Sequence, residues 1–214
     1  MNNINTEVIE NYVKSVVPKR NELLTRLEEY AHLNHVPIIT SEVGQFLRTL
    51  VSYSKPKRIL EVGTAIGYSG ILLLQSDDSI EKLTTLEIKE EMVNIARENF
   101  EKAGFTEKVE IKLGDAKEVI KTLDNSFDFI FIDAAKGQYR YYFDEAMKLL
   151  SPKGIIVCDN VLYKGMVASE TLVEKRKITI VRNLKSFIDY VMNLDEINST
   201  LIPIGDGILL SMRG

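Results

Sequence analysis

This chain of 214 residues contains no tryptophan and a single cysteine, Cys158. A lone thiol excludes an internal disulfide. Because Cys158 ends an apolar run, it reads as a buried hydrophobe of a reducing compartment rather than a nucleophile. Histidine is nearly absent as well: His32 and His35 are the only two, more in keeping with a helix end than with a metal site, and they are assigned no role. No apolar run reaches the ~18 residues that mark a membrane-spanning helix. The N-terminus carries Glu7 and Glu10 rather than a basic-then-apolar leader, so a cytoplasmic location with no membrane partner is expected. Positive charge is not in excess either, since 27 lysines and arginines face 31 aspartates and glutamates for a net charge of -4. A nucleic-acid partner would therefore need a local basic patch.

What the sequence does have is periodicity. With 45% apolar and 27% charged residues it can bury one sizeable core, and a single domain over 1–214 is expected, with a helical cap at 1–55 and an α/β core at 56–214. Val8, Ile9, Tyr12, Val13 and Val16, then Leu23, Leu24, Leu27 and Tyr30, recur at helical spacing with Pro18 between the sets. Ser41 opens a third amphipathic stretch through Val43, Phe46, Leu47 and Leu50. Strand patterns follow at Arg58–Val62, Leu83–Ile88, Val109–Leu113, Phe127–Ile132 and Ile155–Cys158. Helical patterns at Gly70–Gln75, Glu91–Ala103, Ala116–Leu123 and Tyr139–Leu150 separate them. This alternation predicts a doubly wound parallel sheet. The tail breaks the pattern: Thr200–Ile204 and Ile208–Met212 flank Gly205-Asp206-Gly207, whose Asp-Gly pair predicts a terminal antiparallel hairpin.

Two of the apolar runs end on oxygen-bearing side chains, Phe129–Ile132 on Asp133 and Ile155–Cys158 on Asp159-Asn160. In an open parallel sheet ligands bind outside the carboxyl ends of the strands, so these side chains would meet in one crevice, a setting that suits a hard divalent cation. Each alone is equally a turn-starting residue. After the first strand, Glu61-Val62-Gly63-Thr64-Ala65-Ile66-Gly67-Tyr68-Ser69-Gly70 supplies a glycine turn, and Glu87 lies 20 residues beyond Gly67, at the offset where an acidic side chain meets ribose hydroxyls. Ala65 stands where a dinucleotide fingerprint has its second glycine, which disfavours an NAD-dependent dehydrogenase. Gly114-Asp115-Ala116 after the third strand reads either as an adenine contact or as a helix cap. Between 164 and 185 stand Lys164, Lys175, Arg176, Lys177, Arg182 and Lys185 against Glu170 and Glu174. This is a phosphate-binding patch or a solvated face.

Jointly, these segments resemble the class I S-adenosylmethionine-dependent O-methyltransferases of the metal-dependent catechol and caffeoyl-CoA type. The resemblance runs over nearly the whole chain and rests on Leu60-Glu61-Val62-Gly63 through Gly67-Tyr68-Ser69, Glu87, Gly114-Asp115-Ala116, Phe131-Ile132-Asp133-Ala134-Ala135-Lys136 with Tyr139, Asp159-Asn160 with Gly165, and Gly205-Asp206-Gly207. It implies a Rossmann-like methyltransferase sheet, mostly parallel, with a C-terminal antiparallel hairpin and N-terminal helices. It further implies that Glu61, Gly63, Thr64 and Ser69 surround the methionine part of S-adenosylmethionine, that Glu87 holds the ribose, that Asp115 and Ala116 border adenine, and that Ile39 lines the same pocket. Asp133, Asp159 and Asn160 carry over as ligands of a divalent metal, magnesium in the first place. Lys136 carries over as the base, and Asp133 also belongs to the catalytic set and the cofactor wall.

Within the family the chain looks most like the bacterial branch that methylates 5-hydroxyuridine at the tRNA wobble position, giving 5-methoxyuridine. The alternative is the same chemistry on a catechol-like small molecule, and a non-catalytic RNA-binding scaffold is a further reading. Tyr163 stands where the plant enzymes carry tryptophan, and the segment from Gly165 to Arg182 matches no plant acyl-CoA site. In either acceptor two adjacent oxygens could chelate the metal, lowering the hydroxyl pKa and aligning the oxygen with the methyl group. The expected partners are a tRNA anticodon stem-loop, held by the local basic patch, and a second copy of the chain, docked through the apolar surface of the N-terminal helices.

Overall fold

The apolar runs form strands that are buried on both faces. The computed structural model describes residues 4–124 and 126–214, so the parts of the expected single domain and helical cap that fall on residues 1–3 and 125 lie outside it. Five strands run parallel: β1 (Arg58–Val62), β2 (Lys82–Glu87), β3 (Val109–Leu113), β4 (Phe127–Ile132) and β5 (Leu150–Cys158). The hairpin of β6 (Asn198–Ile202) and β7 (Ile208–Met212) adds antiparallel to β5, giving the order β3-β2-β1-β4-β5-β7-β6. This is the mostly parallel methyltransferase-type sheet with its C-terminal hairpin that the sequence led us to expect.

Alternation along the strands splits the core in two. Ile59, Phe129, Phe131, Ile155 and Val157 point to one face, while Leu60, Val62, Ile130, Ile132, Ile156 and Cys158 point to the other. Both faces must be covered, which is why these strands read as unbroken apolar runs. In chain order, α1 (Glu7–Val16) is followed by α2 (Glu22–Leu33), α3 (Ser41–Ser54), α4 (Tyr68–Leu74) and α5 (Glu90–Lys102). The last four pack on the first face, with all seven residues of α4 buried. Val17, fixed extended by the Pro18 that follows it, separates α1 from α2, and Asn21 caps α2 by accepting from the Leu24 amide at 3.0 Å. On the second face lie α6 (Ala116–Val119), α7 (Tyr139–Leu149) and α8 (Ile178–Met192).

The structure differs from the sequence reading in two places. The fifth strand begins at Leu150 rather than Ile155, because a register shift against β4 absorbs the turn-like Ser151-Pro152-Lys153-Gly154. No element was expected between Cys158 and Thr200, yet α8 fills it with Val181, Leu184, Phe187, Ile188 and Val191 buried. The signal is present, since Val181, Leu184, Ile188 and Val191 recur at helical spacing with only Arg182 and Lys185 as basic residues among them, and the Lys175–Lys177 run just before the helix draws the reading to charge instead. At the amino ends of the strands, the Asp128 carboxylate accepts from the Lys57 and Arg58 amides, both at 3.0 Å, and from the Ser151 hydroxyl at 2.8 Å. The opposite edge is thereby left to function.

The chain runs outward from β1 through β2 to β3 and then returns to β4 on the other side of β1. Such a reversal opens a crevice between the carboxyl ends of the two central strands. Phe187 braces that crevice from below, its ring centroid 5.8 Å from Tyr139 and 5.7 Å from Phe143. Phe187→Ala is expected to destabilise the protein by about 3–5 kcal/mol, the usual cost of deleting a buried aromatic. Urea unfolding checks this, and a loss under about 1 kcal/mol would mean that α8 is not part of the cooperative core.

Candidate active site

The strand ends are tied edge to edge before any side chain is considered. The Gly63 amide donates to Leu86 O, the Asp133 amide to Val62 O and the Asp159 amide to Ile132 O, each at 3.0 Å. Gly63, Asp133 and Asp159 thus stand in a row along the carboxyl edge. Only glycine fits the first place. At φ 109 a Cβ there would lie 2.2 Å from the Asp133 carbonyl oxygen.

Beneath this row, alternation turns Glu61 into the first face of the core, where it is fully buried. Its oxygens accept from the Ser69 hydroxyl at 2.5 Å and the Thr85 hydroxyl at 2.6 Å, and Thr85 in turn pairs with Thr64 Oγ1 at 2.6 Å. Burial pushes its pKa up to about 7 against the pull of the two hydroxyls, and the charges of Asp133 and Glu87 push the same way. Glu61 does not itself line the cleft described next. It holds Ser69, which does.

That cleft has a volume of about 630 Å³. Gly63, Thr64, Ser69, Asp133, Ile39, Glu87, Asp115 and Ala116 are all among the residues that line it. Glu87 is fixed by its own turn: Oε1 accepts from the Ile88 and Lys89 amides and Oε2 from the Ala65 amide, all at 2.9 Å. With about four lone-pair positions on a carboxylate, one direction on Oε2 remains for a ligand. Asp115 caps α6 by accepting from the Lys117 amide at 2.9 Å, the second of the two roles that the sequence offered, and it also borders the cleft.

Asp133, Asp159 and Asn160 come together where β4 and β5 end. Asn160 Nδ2 donates to Asp133 Oδ1 at 3.0 Å, and the Asn160 amide donates to Asp159 Oδ1 at 2.6 Å. Burial raises both aspartates above the usual carboxylate range, the charge of Asp133 raises Asp159 further, and the Lys136 ammonium counteracts both shifts. Among the described residues no group of three or more histidine, cysteine or carboxylate side chains is arranged to hold a metal ion. A cation here would rely on two carboxylates, an amide and outside oxygens. Lys136 lies in a short 3₁₀ turn (Lys136–Gln138) on the cleft wall. The Tyr139 hydroxyl donates to Asp159 O at 2.6 Å, so this buried tyrosine fixes the strand end as well as packing in the core. Cys158 is buried, and burial pushes its thiol up, which keeps it protonated.

Some of the site escaped the sequence reading. Thr85 carried a signal, as half of a polar pair inside the otherwise apolar β2. A second pocket of about 260 Å³ adjoins the first across Ile38, Ile39 and Asn160, and into it project Lys14 from α1, Glu42, Asp159 and Asp206. Lys14 and Glu42 sit in helical patterns that give no hint of this.

Comparison with known proteins agrees with this geometry. A sequence model of the O-methyltransferase family matches residues 14–214. Catechol O-methyltransferase of Niastella koreensis is 33% identical over 180 residues, covering 81% of each chain. Caffeoyl-CoA O-methyltransferase 2 of Petunia hybrida is 29% identical over 214 residues, covering 93% of this chain and 86% of that one. Among solved structures, the SAH-bound methyltransferase of Podospora anserina is similar with a TM-score of 0.88 at 26% identity, over 100% of this chain and 97% of that chain. No helix among the described residues is long and apolar enough to cross a membrane. The chain belongs to the O-methyltransferase family and is an S-adenosylmethionine-dependent O-methyltransferase.

Proposed function

We propose that the enzyme methylates one hydroxyl of an adjacent oxygen pair on a catechol-like small molecule, with a divalent cation, magnesium in the first place, held by Asp133, Asp159 and Asn160. The observation that carries this is the meeting of two carboxylates at the lip of the cofactor cleft, Asp159 buried and Asp133 half-buried, each displaced upward in pKa. The donor set fits such an ion. Two such carboxylates side by side are stable as anions only beside positive charge, and Asn160, whose amide nitrogen is used toward Asp133, keeps its amide oxygen for a hard cation. The names of the catechol and caffeoyl-CoA relatives support a small aromatic acceptor.

When bound, S-adenosylmethionine supplies an electrophilic sulfonium methyl, and the divalent cation supplies Lewis acidity toward the acceptor oxygens. The protein does the rest. Glu87 would accept from the ribose through the free direction on Oε2, Asp115 and Ala116 would border the adenine, and Ser69, held by Glu61, would face the methionine end. Ile39 belongs to both pockets and would keep water from the line between donor and acceptor. Lys136, on the cleft wall, would take the acceptor proton at Nζ from its neutral amine form, its own proton having first been released to solvent once the cation and the sulfonium are bound; proton removal is the step that makes a hydroxyl a competent nucleophile.

One observation favours a second acceptor, the wobble 5-hydroxyuridine of tRNA. The basic cluster reaches the site: Lys177 Nζ lies 5.6 Å and Lys136 Nζ 5.5 Å from the centre of the Tyr163 ring. The exposed run Lys175–Lys177 continues outward from there, as phosphates of an anticodon stem would require.

Three outcomes are expected. Glu87→Ala weakens S-adenosylmethionine binding by about 1.5–3 kcal/mol, the worth of a charged hydrogen bond, and an unchanged dissociation constant by calorimetry would remove Glu87 from the ribose site. Excess chelator abolishes turnover and magnesium restores it. Asp159→Ala matches the chelator, with a loss at least as large as the roughly 10–100-fold typical of a lesser perturbation of a metal site. Cofactor affinity stays close to wild type, and full activity in chelator would rule the cation out. Neutralising Lys175, Arg176 and Lys177 together separates the acceptors. If tRNA is the substrate, the salt slope of its affinity falls by about two to three units, each contact contributing roughly 0.7–0.9, while catechol methylation is untouched. Efficient catechol turnover with no tRNA methylation would leave the cluster as a solvated face.

A further inference from the structure

The loop that follows Asn160 is held in a conformation that its own residues disfavour. Asn160, Tyr163 and Lys164 have φ values of 61°, 47° and 57°. Asparagine tolerates the left-handed region, but tyrosine and lysine adopt it only where their surroundings enforce it. The enforcing element is the Gly205-Asp206-Gly207 turn between β6 and β7. The Val161 amide donates to Gly207 O at 3.0 Å and the Leu162 amide to Asp206 O at 3.0 Å, while the Lys164 amide donates to the Asp206 carboxylate. The fit on both sides is tight. A Cβ on Gly207 would lie 2.4 Å from Leu162, and one on Gly205 would lie 2.5 Å from Val43 of α3, the helix that follows Ile39.

We propose that Asp206 is a positioning residue: through the Lys164 amide it locks the 160–165 loop and so aims the Asn160 side chain at Asp133, while its turn seats that loop against α3. It is not itself assigned as a ligand of the cation. The proposal rests on the reading of Asp133, Asp159 and Asn160 as cation ligands. It adds that their preorganisation comes from a turn more than 40 residues further along the chain. The acceptor oxygen that takes the Lys164 amide is assigned the larger part of the effect, beside a charge that also faces Lys136, Lys164 and Asp159.

The test compares wild type, Asp206→Ala and Asp206→Asn by two readouts that need no turnover. Manganese(II) titration, followed by the electron paramagnetic resonance of the free ion, is expected to show binding weakened about 10–100-fold in Asp206→Ala, the usual cost of losing a support behind a metal ligand. Asp206→Asn, whose amide oxygen can still accept from Lys164, is expected to stay within about threefold of wild type. Hydrogen exchange without metal is expected to show lost protection of the Val161, Leu162 and Lys164 amides in the alanine variant alone. Calorimetry with S-adenosylmethionine, unchanged in both variants, verifies that the fold is intact. Alanine behaving as wild type in both readouts would overturn the proposal, as would asparagine behaving as alanine. A wild type that binds no manganese would overturn the cation reading instead, and the exchange comparison would still decide whether Asp206 holds the loop.

Discussion

Three carboxylates, those of Glu61, Asp133 and Asp159, stand at one edge of a parallel sheet, Glu61 and Asp159 buried and Asp133 half-buried, and the rest of the site follows from keeping them there. Removing an ionised carboxylate from water is costly, and burial is the first cause of the upward shift in all three. Neutral donors offset only part of this. Glu61 has two hydroxyls and Asp133 has an amide, yet the net displacement remains upward. What completes such an arrangement is positive charge, and the cofactor of this family, with its sulfonium and ammonium groups, brings it. A divalent cation between Asp133 and Asp159 would bring more. The same electrostatic demand explains why Lys136 stands nearby, since its ammonium lowers both aspartates.

The scaffold meets this demand by topology rather than by loop length. Because β1 and β4 are neighbours while the chain between them runs out to β3 and back, two strand ends separated by 71 residues, Val62 and Asp133, share a backbone hydrogen bond of 3.0 Å. A rigid edge of this kind fixes acidic groups more tightly than a mobile loop could. The hairpin contributes from the other end of the chain. By pairing with β5 it carries Gly205–Gly207 to the loop that Asn160 begins, so residues far apart in the chain, Lys14 of α1 and Asp206 of the hairpin turn, border the second pocket together.

How much of this was legible depends on whether a residue's role is expressed by its own neighbours in sequence. Asp133 and Asp159-Asn160 were, because an apolar run ending on an acidic residue is a local pattern and the sheet converts it into a position. Glu87 was placed by spacing alone, although its restraint by three backbone amides required the turn geometry at Ala65 and at Ile88-Lys89. Glu61 was assigned to the cofactor, while the structure puts Ser69 between it and the cleft. The helix over Ile178–Met192 was legible in its apolar spacing but was passed over, because the Lys175–Lys177 run before it drew the reading of that stretch to its charge. The long-range partners were not legible at all. Nothing near Asp206 points to Lys164, and nothing near Thr85 points to Glu61, because these contacts exist only once β6, β7 and the central strands have paired.

On the proposed reading, the acceptor would be chosen at the rim rather than at the base of the site. The second pocket, about 260 Å³, lies below the roughly 300–1,000 Å³ range of ordinary ligand sites. It suits one ring, or the tip of something larger. On that reading, a catechol and a hydroxylated pyrimidine would both present two adjacent oxygens toward Asp159 and Asn160, which line this pocket, and toward Asp133 next to Asn160, so these residues would not distinguish the two. Discrimination falls to what the remainder of the molecule meets on leaving the pocket. There the chain offers Tyr163 with lysines on its ring and the basic run behind it. A free catechol makes no use of that surface, whereas a nucleotide chain would be held by it at several phosphates at once.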